Sequence, residues 1–141
     1  MAFVLDASIA ASWAFKDESE PDAQMAFHRA RTEEAVVPAL WWFEVRNVLL
    51  VNERRRRITE PDTVAFLSRL SKFRVRVDRA PDENAVLRLA RAHRLSVYDT
   101  AYLELAQRES VPLATLDAAL RRAATAEGVP LVSGGEQLLG D

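Results

Sequence analysis

The chain contains no cysteine, which removes disulfides and thiolate metal sites together. Histidine is nearly absent: His28 and His93 stand far apart and out of metal-ligand spacing, so any bound metal must be a hard one held by oxygen. Both read as ordinary helix residues. All four glycines lie at or after Gly128. That placement excludes a glycine-rich phosphate loop or a dinucleotide fingerprint behind any earlier strand. No apolar run approaches the roughly 20 residues that span a bilayer, and no basic leader precedes a cleavage site. The expected location is therefore the cytoplasm, with no membrane partner. Lysine is scarce too, only Lys16 and Lys72 among 19 basic residues, and the rest are arginine, the side chain better suited to bidentate phosphate contacts. Genomic composition would give the same bias.

What is present is 141 residues, read as one domain over 1–141 that buries about two thirds of its unfolded surface and needs no staple. The net charge of −2 does not mark a nucleic-acid binder. If four acids are sequestered in a site, however, 17 acidic residues remain against 19 basic ones and the rest of the surface is mildly positive.

The chain is organised around its first eight residues. Ala2 to Leu5 is a short apolar run closed by Asp6, which reads as a buried strand delivering one carboxylate at its C-terminal end. In an open α/β sheet that end is where ligands bind. Ala7 to Phe15 reads as a helix with Ser8 in its first turn. A charged turn follows (Lys16 to Asp22), then a helix over Ala23 to Arg31, a strand over Ala35 to Pro38, and a long helix over Leu40 to Arg57. Thr59 caps a helix with Pro61 and Asp62 in its first turn, running to about Lys72. Phe73 to Asp78 alternates apolar and basic residues, as a half-covered strand does. Further helices are expected from Pro81-Asp82-Glu83 to Arg94, from Val97 to Glu109 behind Ser96, and from Asp117 to Glu127, where Gly128 stops the last. Val111 to Leu116 and Val129 to Val132 read as strands, and residues 133–141 as a loose tail. Strands alternating with helices give an α/β class with a mostly parallel sheet.

Four acids stand out. Asp6, Asp99 and Asp117 each have a capping explanation, since each precedes or opens a helix and Ser96-x-x-Asp99 is a capping-box pattern. Glu44 does not. It sits inside the long helix, flanked by Trp41, Trp42, Phe43 and Val45, with Asn47 at i+3 on the same face. Apolar surroundings would penalise its charge, although an exposed stripe remains an alternative. In a doubly wound sheet with the first strand central, Asp6, Asp117 and the helix start bearing Asp99 meet at one crevice. Carboxylates so placed repel unless a cation intervenes, and Mg²⁺ or Mn²⁺ would resolve the conflict and support phosphodiester hydrolysis. Arg54 to Arg57 close the long helix, either as a solvated terminus or with one or two of them, such as Arg54 and Arg55, as phosphate contacts. The tryptophans read as core or dimer contacts rather than base-stacking platforms.

Val4-Leu5-Asp6-Ala7-Ser8, Pro38 through Glu44-x-x-Asn47 with Val48-Leu49, Tyr98-Asp99-Thr100-Ala101-Tyr102-Leu103-Glu104-Leu105-Ala106 and Thr115-Leu116-Asp117-x-x-Leu120 occur in that order. In these pieces the whole chain resembles the PIN-domain ribonucleases, specifically the VapC-type toxins of bacterial toxin-antitoxin pairs. The resemblance implies a three-layer α/β/α domain with a central sheet of four to five strands. It implies a Mg²⁺ or Mn²⁺ site of Asp6, Glu44, Asp99 and Asp117, with Ser8, Asn47 and Thr115 in support. It also implies an endoribonuclease that forms a homodimer and is held by a small antitoxin protein. The rivals are a PIN fold that binds RNA without cutting it and a receiver-like acidic-pocket binding module. The latter would want adjacent acids after the first strand and a lysine after a late one, and neither is visible.

Overall fold

The structure, a computed structural model, describes residues 1–134. In chain order its elements are β1 (Ala2–Leu5), α1 (Ala7–Ser12), α2 (Pro21–Ala30), β2 (Glu34–Pro38), α3 (Leu40–Arg54), α4 (Glu60–Leu70), β3 (Val75–Asp78), α5 (Glu83–His93), α6 (Val97–Glu109), β4 (Leu113–Ala114) and α7 (Ala118–Ala126). Local chemistry sets most boundaries. Pro21 occupies the first turn of α2, and Thr59 and Asp62 close a reciprocal capping box on α4. The Asp82 carboxylate caps α5, and Arg94 and Ser110 end α5 and α6 in left-handed backbone.

The four strands form one parallel sheet in the order β3-β2-β1-β4. Crossovers, which between parallel strands follow the right-handed rule, carry the chain outward from β1 through α1 and α2 to β2, and through α3 and α4 to β3. The next crossover, α5 and α6, must return over the opposite face to reach β4 on the far side of β1. Contacts agree: α1 packs on α2 and α3, whereas α6 lies across β1, β2 and β4 with α5 and α7 against it. The result is the expected three-layer α/β/α arrangement. Its core includes Phe3, Val4, Leu5, Val36, Val37 and Leu103, all shut off from water. The direction of winding reverses between β1 and β4, so their carboxyl ends flank the crevice where such sheets bind ligands.

Several boundaries differ from expectation. Helix α1 stops at Ser12, whose hydroxyl donates back to the Ile9 carbonyl at 2.6 Å, and turns follow to Phe15. Helix α3 ends at Arg54 rather than Arg57, because Arg56 adopts a positive φ of 61°. Strand β4 shrinks to two residues beside Pro112, and the last expected strand reduces to a single bridge between Leu131 and Leu113. The expected loose tail falls mostly on residues 135–141, outside the described residues; just before them the Gly134 N–H donates to Asp22 Oδ1 at 2.9 Å. Among the described residues no helix is long and apolar enough to cross a membrane.

Candidate active site

Asp6 follows β1 directly, and the register that pairs Leu5 with Ala114 sets it opposite Thr115. Its carboxylate does not close a cap on α1. Instead, Oδ2 accepts the Thr115 hydroxyl at 2.6 Å and the Ser8 hydroxyl at 2.9 Å. Each hydroxyl in turn accepts a backbone N–H from the loop after β4, Leu116 onto Ser8 at 3.1 Å and Asp117 onto Thr115 at 3.1 Å. These four bonds stitch the end of β1 to the β4–α7 connection and orient both hydroxyls as donors toward Asp6. Arg121 steadies the same loop by donating to the Thr115 carbonyl at 3.0 Å.

Glu44 lies in the second turn of α3, half-buried, and its Oε1 accepts the hydroxyl of Tyr102 from α6. Tyr102 is wholly buried and lies three residues after Asp99, on the same side of α6. Asp99 is half-buried in the first turn of α6, where its N–H donates to the Ser96 hydroxyl at 3.0 Å. The return bond that completes the box at Thr59 and Asp62 is not made here, so the Asp99 carboxylate is left to the crevice. Asp117 is exposed and does cap its helix, accepting the Leu120 N–H at 2.8 Å.

Electrostatics joins the four. Burial pushes the Asp6 carboxyl above its ordinary range, against the Thr115 and Ser8 hydroxyls, and the charge of Asp99 adds to the rise. Burial also raises Glu44, offset by the Tyr102 hydroxyl and reinforced by Asp6 and Asp99. Asp99 is raised by burial and then by Asp117. Tyr102 is driven upward by burial and by the negative charge of Asp6 and Glu44, which keeps it a hydrogen-bond donor. Among the described residues no arginine, lysine or histidine pairs with any of these four acids, although nine other ion pairs form elsewhere.

Uncompensated negative charge offered entirely by oxygen donors suits a hard divalent cation. Three or more acidic or histidine side chains do not, however, converge on one point among the described residues. The arrangement is open rather than a closed cage. Mg²⁺ is commonly held in this way, by one or two carboxylates with water and substrate phosphate supplying the rest.

A scan against family models matches the PIN domain over residues 3–126. The chain belongs to the PIN domain family. A search of curated proteins gives no match. Among solved structures, PAE2754 from Pyrobaculum aerophilum is similar at a TM-score of 0.69 and 25% identity, covering 99% of this chain and 96% of that one. FitAcB from Neisseria gonorrhoeae is similar at 0.65 and 15% identity, covering 94% and 98%. The sarcin-ricin loop cleaving toxin VapC20 from Mycobacterium tuberculosis is similar at 0.57 and 12% identity, covering 86% and 94%.

Not every residue read from the sequence joins this PIN-domain crevice. Asn47 is exposed and makes no side-chain hydrogen bond to any of the four acids. Arg54 and Arg55 lie ten and eleven residues beyond Glu44, about 15 Å further along α3, so they do not border the carboxylates. The apolar surroundings expected for Glu44 are only partly there: Trp41 and Val45 are buried, but Trp42 and Phe43 are 51% and 69% exposed. Tyr102 was the residue the sequence did not single out. Its spacing of three from Asp99 was the available signal, because a side chain at that spacing faces the same crevice.

Proposed function

We propose that this PIN domain is a metal-dependent endoribonuclease that acts as the toxin of a toxin-antitoxin pair. The observation that carries the reading is the cluster Asp6, Glu44, Asp99 and Asp117. Burial and the charges of neighbouring acids in the cluster push the first three toward neutrality, and among the described residues no protein cation pairs with any of the four. Burying charge without compensation is costly, and a fold that does so at its ligand-binding crevice invites a cation there. Asp6, Asp99 and Asp117 would hold Mg²⁺ or Mn²⁺, with Glu44 as a further ligand or as the group that orients water. A bound divalent ion supplies charge neutralisation at the phosphate and acidifies water. The protein's own contribution is positional. Ser8 and Thr115 fix Asp6, Tyr102 fixes Glu44, and the raised affinity of Glu44 for protons suits it to accept one from an attacking water.

The shared fold of FitAcB and VapC20 supports the toxin reading, and with it a small antitoxin protein as partner and the cytoplasm as the place of action. Exposed Phe43 and Leu50 on one side of α3, with Val97 and Tyr98 opening α6, support a homodimer. The test incubates the purified, partner-free chain with structured RNA in Mg²⁺ or Mn²⁺, with chelator and Asp99→Asn controls. Cleavage abolished by both supports the proposal; cleavage that survives both overturns it.

A further inference from the structure

On the far side of α3 from Glu44 lies a groove of about 270 Å³, walled by Trp41, Trp42 and Arg46 of α3, by Leu67 and Leu70 of α4, and by Val75 and Val77 of β3. We propose that this groove docks an extended segment of a partner protein, one that pairs with the free edge of β3 and turns an apolar and an acidic side chain inward. The inference does not depend on the nuclease reading. Four observations converge on that occupant.

Among the described residues β3 is bonded only to β2, and the outer main-chain N–H and C=O groups of Val75–Asp78 have no strand beside them. An open edge of this kind is a template for strand addition. Val75 and Val77 share the groove side of the strand, while Arg76 on the other side is already paired with Glu34 at 3.0 Å and Glu109 at 2.8 Å. A strand added beside β3 would therefore send every second side chain into the groove.

The remaining two observations name the chemistry of those side chains and of the backbone between them. Arg46 packs its guanidinium 4.0 Å above the Trp42 ring and donates to the Trp42 carbonyl, yet pairs with no carboxylate among the described residues. A carboxylate entering the groove answers that charge, and the leucine and valine walls take an apolar neighbour. Trp41 is 5% exposed, and its indole Nε1 is the one buried side-chain nitrogen or oxygen among the described residues that has no hydrogen-bond partner. A shielded donor without an acceptor is costly, so an occupant that parts this wall and presents a carbonyl oxygen to the indole gains a bond the free chain lacks. Nucleic acid offers no strand to β3, and an apolar small molecule would leave Arg46 unanswered.

The probe is a fluorescein-labelled peptide, acetyl-Thr-Leu-Thr-Glu-Thr-Leu-Thr-amide, whose groove-facing positions are Leu, Glu and Leu, titrated with the full chain and followed by anisotropy. Saturable binding is expected, weakened about fivefold or more by Arg46→Glu and regained when the peptide's Glu is replaced by Lys. Trp41→Phe, which removes the unpaired donor together with part of the ring's packing, should weaken binding in a chain that still unfolds cooperatively on heating. Absence of saturable binding, equal affinity for Arg46→Glu, or displacement of the peptide by an eight-nucleotide uridine strand would overturn the proposal. So would a shift from dimer to monomer in sedimentation on Arg46→Glu, which would make the groove a contact between two copies of this chain.

Discussion

Asp6→Asn should make the protein more stable while stopping any chemistry at the crevice. Two hydroxyl donors favour the ionised carboxylate, each charge-assisted bond being worth about 1 kcal/mol more than its neutral counterpart. Against them stands removal of the carboxylate from water at 8% exposure, which costs several kcal/mol for an ion, and repulsion from Asp99. The raised pKa records that burial wins. Asparagine still accepts both hydroxyls but carries no charge, so in chelator near neutral pH the folded state should gain about 1–3 kcal/mol. For a chain of this length that is about 3–10 °C in Tm. The pH dependence fixes the sign. Because the folded pKa of Asp6 lies above its ordinary 3.8, the wild-type stability is fully present below that value and is lost as pH rises through the folded pKa. The two melting curves should therefore coincide near pH 4 and separate as pH rises, read by thermal unfolding in chelator across that range. A variant that melts below wild type at pH 8, or a gap independent of pH, would show that the hydroxyl network outweighs burial and would refute the argument.

Arg108→Ala should destabilise by about 3 kcal/mol in urea, because Arg108 bonds Glu104 at 2.6 Å and Glu104 is 2% exposed. Glu104→Gln in the same chain should restore part of that loss. Arg108→Ala also frees Asp78, whose pKa Arg108 holds below 3.8; the stability this gives wild type is present above that value and lost as pH falls through the depressed one, so the deficit should shrink in acid. Tyr102→Phe removes one hydroxyl from a fully buried ring and unfastens Glu44; kcat for RNA cleavage should fall about tenfold or more with KM nearly unchanged, and an equal loss in both would refute a positioning role. Thr59→Ala breaks the capping box at the start of α4 and should cost about 1 kcal/mol in denaturant unfolding without touching activity.

The order of helices and strands and the class of the sheet follow from local chemistry: hydrophobic period, proline and glycine placement, and capping residues act over a few neighbouring positions, so they can be read where they stand. The anomaly of Glu44 could be read too, as an acid in mid-helix that caps nothing. Where local chemistry stopped, a distant partner decided. A cap on α1 was the local alternative for Asp6, and its hydroxyl donor Thr115 arrives from 109 positions away through the pairing of β1 with β4. Tyr102 reaches Glu44 across 58 positions, and nothing in either neighbourhood announces the other. Trp42 and Phe43 are as apolar as Trp41, yet the fold buries Trp41 and leaves its two neighbours largely exposed. The chain thus wrote its elements and its four acids in local terms. Which acids share a field, which hydroxyls hold them, and which aromatic faces stay open were settled only when parallel pairing brought remote segments together, because those energies belong to pairs of residues rather than to any one.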